Sequence, residues 1–147
     1  PKGPHHASVT RTVRATLADS GVPAAQVHLR GTLEDAAALA AAADVALLPA
    51  ERLPHKMDLP LALLHSLAAG VPGVVADRGP LTDLVDAGAA LGVPPGDDAA
   101  LADATHRLLT DADTYRRVSQ AAHRFTSGPA SPEALAQAHA DLYRGLS

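Results

Sequence analysis

Four short apolar runs, each followed by a stretch with helical spacing, set the limits on what this chain can fold into. They are Val27 to Leu29, Val45 to Leu48, Val71 to Ala76 and Ala90 to Val93. A strand that reads apolar throughout, without alternation, has both faces covered, and such strands belong to parallel sheets wrapped by helices. Val45-Ala46-Leu47-Leu48, closed by Pro49, is the cleanest instance and is expected to be buried on both faces. The helical stretches fall between and after these runs. Ser8 to Ser20 places Val9, Val13, Thr16 and Leu17 on one face and is ended by Gly21 and Pro23. Leu33 to Ala43 follows Thr32 as its cap, with Glu34 and Asp35 in the first turn, and Leu61 to Ala69 is ended by Gly70. A short helix runs from Pro80 to Asp86, and Asp97 or Asp98 caps another with Leu101, Leu108 and Leu109 on one stripe. Asp111 to Phe125 gives a further helix. Ser131-Pro132-Glu133 opens the last one, which carries Leu135, Ala138 and Leu142 toward a packing surface. The expected fold is α/β, a parallel sheet of about four strands with helices on both faces.

The length of 147 residues suits one domain, residues 1–147, with room for a real core. Alanine, leucine and valine must build that core, because aromatic residues make up only 2% of the chain. The absence of cysteine excludes disulfides, thiolate zinc sites and a cysteine nucleophile. A net charge of −4 with so few rings leaves neither a basic face nor a stacking platform, so nucleic acid is not expected as a partner. No apolar run reaches the length of about 20 residues that spans a bilayer, so no membrane span is expected. The start of the sequence lacks a signal-peptide pattern, and the expected location is cytoplasmic.

Sheets of this kind bind ligands beyond the carboxyl ends of their strands. That rule singles out three loops: Arg30 to Leu33, Pro49 to Pro60, and Asp77 to Pro80. The segment from Pro49 to Gly70 stands out among them. It passes from an apolar strand through the polar loop Glu51 to Asp58 into a helix starting at Leu59-Pro60-Leu61. A helix start presents free amides and the positive end of a dipole, which together hold anions. An ordinary strand–loop–helix connection has the same pattern, so the residues alone leave both readings open. Other chemistries lack their signatures. The eight histidines include no pair at metalloprotease spacing, and neither a metal nor a cofactor is expected. His5 and His6 lie near an end expected to fray, and His106, His123 and His139 fall on helices at the surface. No Gly-x-Gly-x-x-Gly, phosphate-loop or Gly-x-Ser-x-Gly element is present, and Ser66 sits inside a helix as a structural residue.

The order of several segments resembles the C-terminal domain of family 4 (group 1) glycosyltransferases of the GT-B fold. The segments are Ala43-Asp44-Val45, Leu59 to Leu64, Ala68-Ala69-Gly70-Val71-Pro72, and Val93-Pro94-Pro95-Gly96-Asp97, within a match from Val27 to Leu109. The resemblance implies the C-terminal half of a GT-B enzyme with a Rossmann-like sheet, retaining chemistry and a nucleotide-diphosphate sugar as donor. It implies donor-binding roles for Arg30, Gly31, Thr32, Met57, Asp58, Leu59, Pro60, Leu61 and His65, with no catalytic residue assigned. In that family two glutamates straddle the helix start, one on the transferred sugar and one on the ribose, with diphosphate-binding amides between. Here Met57 and His65 stand at those positions. An imidazole lacks the two-oxygen acceptor that grips a ribose diol. A degenerate, non-catalytic domain used for protein interaction is therefore the alternative function, and for His65 itself the alternative to a ribose contact is packing against the sheet. The resemblance also places Pro1-Lys2-Gly3-Pro4 in a Gly-x-Gly-Pro turn that follows two strands and a basic pair not found in this sequence. On that reading the acceptor domain is also missing. The chain by itself then transfers no sugar, and a separate N-terminal domain or a second copy meets its exposed sheet edge.

Overall fold

The computed structural model describes residues 4–30, 33–50 and 59–145. They form two compact units, Pro1–Glu34 and Asp35–Ser147.

The first unit is built on α1 (Pro4–Asp19), one turn longer at its start than the hydrophobic spacing predicts. Pro4 is at home there, since the first helical position has no acceptor for an N–H. A 3-10 turn over Ala24–Gln26 follows, and Val27 is extended at φ −119° and ψ 116°. The expected strand Val27 to Leu29 does not form. Val27 and Leu29 instead line a hollow of about 420 Å³ with Leu17, Ala18 and Val22. Three residues of apolar alternation are too few to specify a ladder.

The second unit holds a three-stranded parallel sheet in the order β1 (Ala46–Leu48), β2 (Gly73–Ala76), β3 (Ala90–Val93). Ala46 pairs with Gly73 and Leu48 with Val75, while Val75 pairs with Gly92 and Ala76 with Val93. Around it lie α2 (Ala36–Ala41), α3 (Leu61–Ala68), α4 (Thr82–Asp86), α5 (Asp98–Thr110), α6 (Ala112–Ser127) and α7 (Pro132–Gly145). A 3-10 turn over Gly79–Leu81 leads into α4. On one face Val75, Ala90 and the partly buried Ala46 and Leu48 pack with Leu63 and Leu67 of α3 and Leu84 of α4. On the other, Val74 and Val93 pack with Leu108 of α5 and Val118 of α6. The sheet is thus covered by helices on both faces, as expected.

Several details depart from the sequence expectation. The fully buried strand is β2, whereas β1 has one strand neighbour among the described residues and Leu47 is 49% exposed. A continuous apolar run marks a buried strand only if a neighbour covers each face and edge. Helix α2 starts at Ala36 and is capped by Asp35, whose Oδ1 accepts from the Ala38 amide at 2.8 Å, while Thr32, the expected cap, lies outside the described residues. On α5 the cap is Asp97, and Leu109 points to solvent while Leu108 is buried. Leu135, Ala138 and Leu142 of α7 are exposed, so their stripe has no packing surface among the described residues. Ser131 does cap α7, accepting from the Ala134 amide at 3.1 Å. Gly92 is required by packing. A Cβ there would lie 2.9 Å from both γ-methyls of Val85 and 3.2 Å from Cβ of Asp77.

The cap of α6 makes stability depend on pH. Asp111 accepts from the Thr114 hydroxyl at 2.7 Å and from the amides of Asp113 and Thr114 at 3.0 and 3.1 Å. The hydroxyl bond above all, then the Thr114 amide, holds its carboxyl below the ordinary value of 3.8. The folded value lies below the unfolded one. The stabilisation is therefore complete above the unfolded pKa and is lost as pH falls through the folded one. Asp111→Asn should melt below the wild type at neutral pH, with the gap closing only once pH drops under 3.8. Melting temperatures across an acid titration check this.

Candidate functional site

Because all three strands are parallel, their carboxyl ends open in the same direction. The Asp77 amide donates to the Val93 carbonyl at 2.8 Å and ties the exit of β2 to the end of β3. A recess of about 90 Å³ lies where the strands end, lined by Pro49, Ala76, Val93, Pro94, Gly96 and Asp97, among others. Arg78 is exposed just after β2. The turn Pro94 to Asp98 was not among the loops singled out from sequence. The same carboxyl-end rule applies to β3 and would have included it.

Pro60 takes the N-cap position of α3, at φ −62° and ψ 129°, and no side chain among the described residues caps this helix. The Pro60 carbonyl accepts from the amides of Leu63 and Leu64 at 3.0 and 3.1 Å. The amides of Leu61 and Ala62 precede the first intrahelical acceptor and have none within the helix. In contrast, α2, α5, α6 and α7 each receive a side-chain cap. A groove of about 180 Å³ runs beside this start, between β1 and α3, lined by Leu47, Leu48, Pro60, Ala62, Leu63 and Ser66.

The burial pattern of α3 gives it two sides. Leu63, Ser66 and Leu67 are buried, and the Ser66 hydroxyl donates to the Ala62 carbonyl at 3.2 Å, a structural role. Leu61 and His65 lie four residues apart on the opposite side, with Leu61 62% exposed and His65 open to solvent. His65 therefore does not pack on the sheet. Leu59, Pro60, Leu61 and His65 thus gather along the first turns of α3. Arg30 is exposed in the first unit, whereas Gly31, Thr32, Met57 and Asp58 lie outside the described residues. Among the described residues no three His, Asp or Glu side chains converge as metal ligands, and no helix is long and apolar enough to cross a membrane.

The chain matches a family model described as "Glycosyl transferases group 1" over residues 3–111. Among solved structures it is similar to a sucrose-phosphate synthase from Thermosynechococcus elongatus, at 26% identity and a TM-score of 0.81. The match covers 95% of this chain and 34% of that one, so the chain spans about a third of that enzyme's length. None of the curated proteins matches it.

An open helix start should respond to an anion where capped ones do not. Titration with inorganic pyrophosphate should shift the amide NMR signals of Leu61 and Ala62. The corresponding first-turn amides of α5 and α6, next to the capping residues Asp97 and Asp111, should stay in place. Equal shifts at all three starts would remove the distinction.

Proposed function

The chain belongs to the group 1 glycosyl transferases, and we propose that it is the donor-binding half of a two-domain GT-B enzyme. The donor is a nucleotide-diphosphate sugar, seated with its diphosphate at the start of α3. The observation that carries this reading is the uncapped start of α3, with Leu61 and His65 exposed beside it on a parallel α/β unit. Free amides and the positive dipole end suit a diphosphate. As the glycosidic bond breaks, negative charge grows on that diphosphate, and fixed amide dipoles stabilise it without rearranging. This lowers the barrier with no metal needed. The likeness to a sucrose-phosphate synthase supports a sugar as the transferred group. Donor and acceptor must be held in register for transfer, so an acceptor domain completes the active site and this half alone has no turnover.

A second reading is a GT-B-like domain that has lost catalysis and serves protein interaction. It draws support from His65 standing where a ribose-holding glutamate is implied. Substitution separates the two. A hydrogen bond to a charged acceptor contributes about 1.5–3 kcal/mol, roughly one to two decades in affinity. His65→Glu should tighten binding of a nucleoside diphosphate by that much and leave its 2′,3′-dideoxy analogue unchanged. Calorimetry that gives equal gains for both ligands, or none for either, removes the ribose role. The exposed position of His65 makes this variant tolerable to the fold.

The edge of β1 supports a further partner. Among the described residues β1 has one strand neighbour and Leu47 is half-exposed, which suits this edge to pairing with another chain or domain. Sedimentation should show association that rises with concentration and is suppressed by Leu47→Lys, which sets a charge on the edge. A strictly monomeric wild type removes self-association.

A further inference from the structure

Helix α3 is only eight residues long, about 12 Å, and a helix of that length does not hold its shape or direction alone. Leu63 and Leu67 pin its inner side to the sheet. Its far end is closed by a backbone motif. The amides of Ala69, Gly70 and Val71 donate to the carbonyls of His65, Leu67 and Ser66 at 3.1, 3.0 and 2.9 Å. Gly70 supplies the left-handed turn at φ +81°. The carbonyls of Ala68 and Gly70 find their partners on α6. Ser119 Oγ donates to Gly70 O at 2.5 Å, and His123 Nδ1 lies 3.3 Å from Ala68 O, a bond made by the tautomer protonated at Nδ1. Ser119 and His123 are four residues apart and so project from one face of α6. The contact is close, since a Cβ on Gly70 would sit 3.4 Å from Ser119 Oγ.

We propose that Ser119 and His123 are positioning residues for the donor site, fixing the axis of α3 from the end opposite its anion-binding start. This rests on the donor-binding reading of α3. Side-chain packing restrains a helix sideways, whereas a bond to its last carbonyl, Ala68 O, and one to the turn that follows it, Gly70 O, resist sliding and tilting. Amides aimed at a phosphate must be held to within about 0.5 Å to keep their bonds. The clamp on Ala68 and Gly70 supplies that restraint without touching the ligand.

The test uses Ser119→Ala, Ser119→Thr and, as a control, Ser131→Ala, which removes the side-chain cap of α7. Binding of uridine, guanosine and adenosine diphosphates is measured well below each melting temperature. Hydrogen exchange of the α3 amides is followed in parallel. Ser119→Ala should weaken binding about 3- to 10-fold, the loss of one ordinary hydrogen bond, and speed exchange from Leu64 to Ala68. Ser119→Thr keeps the hydroxyl and should stay within about twofold. Ser131→Ala should lower the melting temperature without changing affinity or α3 exchange. Wild-type affinity in Ser119→Ala, or an equal loss in Ser131→Ala, overturns the clamp. If the wild type binds none of the three diphosphates, the donor reading fails. The exchange data then decide the clamp by themselves, unchanged α3 protection in Ser119→Ala overturning it. Should Ser119→Ala fail to fold, His123→Ala, at an exposed side chain, carries the same measurements.

Discussion

The burial of β2 is the constraint on which the rest of the second unit depends. All four of its residues are buried, and both its edges are paired. A strand with no exposure to water must find every backbone partner in its neighbours and cover for both faces. Parallel pairing meets the first demand and forces crossover helices, and those helices meet the second. Val74 and Val75, fully buried on opposite faces, each contribute about 1.5–3 kcal/mol, so neither face dominates. The alignment of strand ends that forms the candidate site follows from the same arrangement. It is a result of burying β2, and no separate device is needed to bring the loops together.

Small residues decide how closely the layers approach. With Ala89, Ala90, Ala121 and Ala122 in the core and hardly any rings, the helices sit near the sheet. Short helices and short strands then suffice to fill the space, and α3 can cross from core to surface within two turns. That economy leaves α3 dependent on its neighbours, because eight residues bring little stability of their own. The helix that carries the candidate binding groups therefore also needs bracing from outside.

The alternation of apolar runs and helical spacing is enough to read the parallel sheet, its two helical layers, the limits of β3 and α3 and the start of α7. Those signals are local and each repeats over several residues. Edge and centre were not legible: Val45 to Leu48 and Val71 to Ala76 look alike as sequence, and only the strand order makes one an edge. Val27 to Leu29 was misread because three residues lack the length to distinguish a strand from chain leaning on a helix. Asp35 was overlooked as the cap of α2 because Thr32 offered the same chemistry three residues earlier. At the candidate site, the order Leu59-Pro60-Leu61 announced a helix start, but its lack of a side-chain cap needed coordinates. The exposure of His65 also needed them, since the side of a helix that turns outward depends on what packs beneath it.

Gly92 carries a consequence for how this sequence can drift. The γ-methyls of Val85 occupy the space that any side chain at position 92 would need. The two positions lie on different elements, α4 and β3, yet they are one unit in mutational terms. A methyl group can enter β3 only if one leaves α4, so tolerated substitutions at 85 and 92 should arrive together and their effects should not add. Related chains that carry alanine at the second position are expected to carry a smaller residue at the first. This exchange of volume across the sheet would let the two layers slide in identity while keeping their spacing.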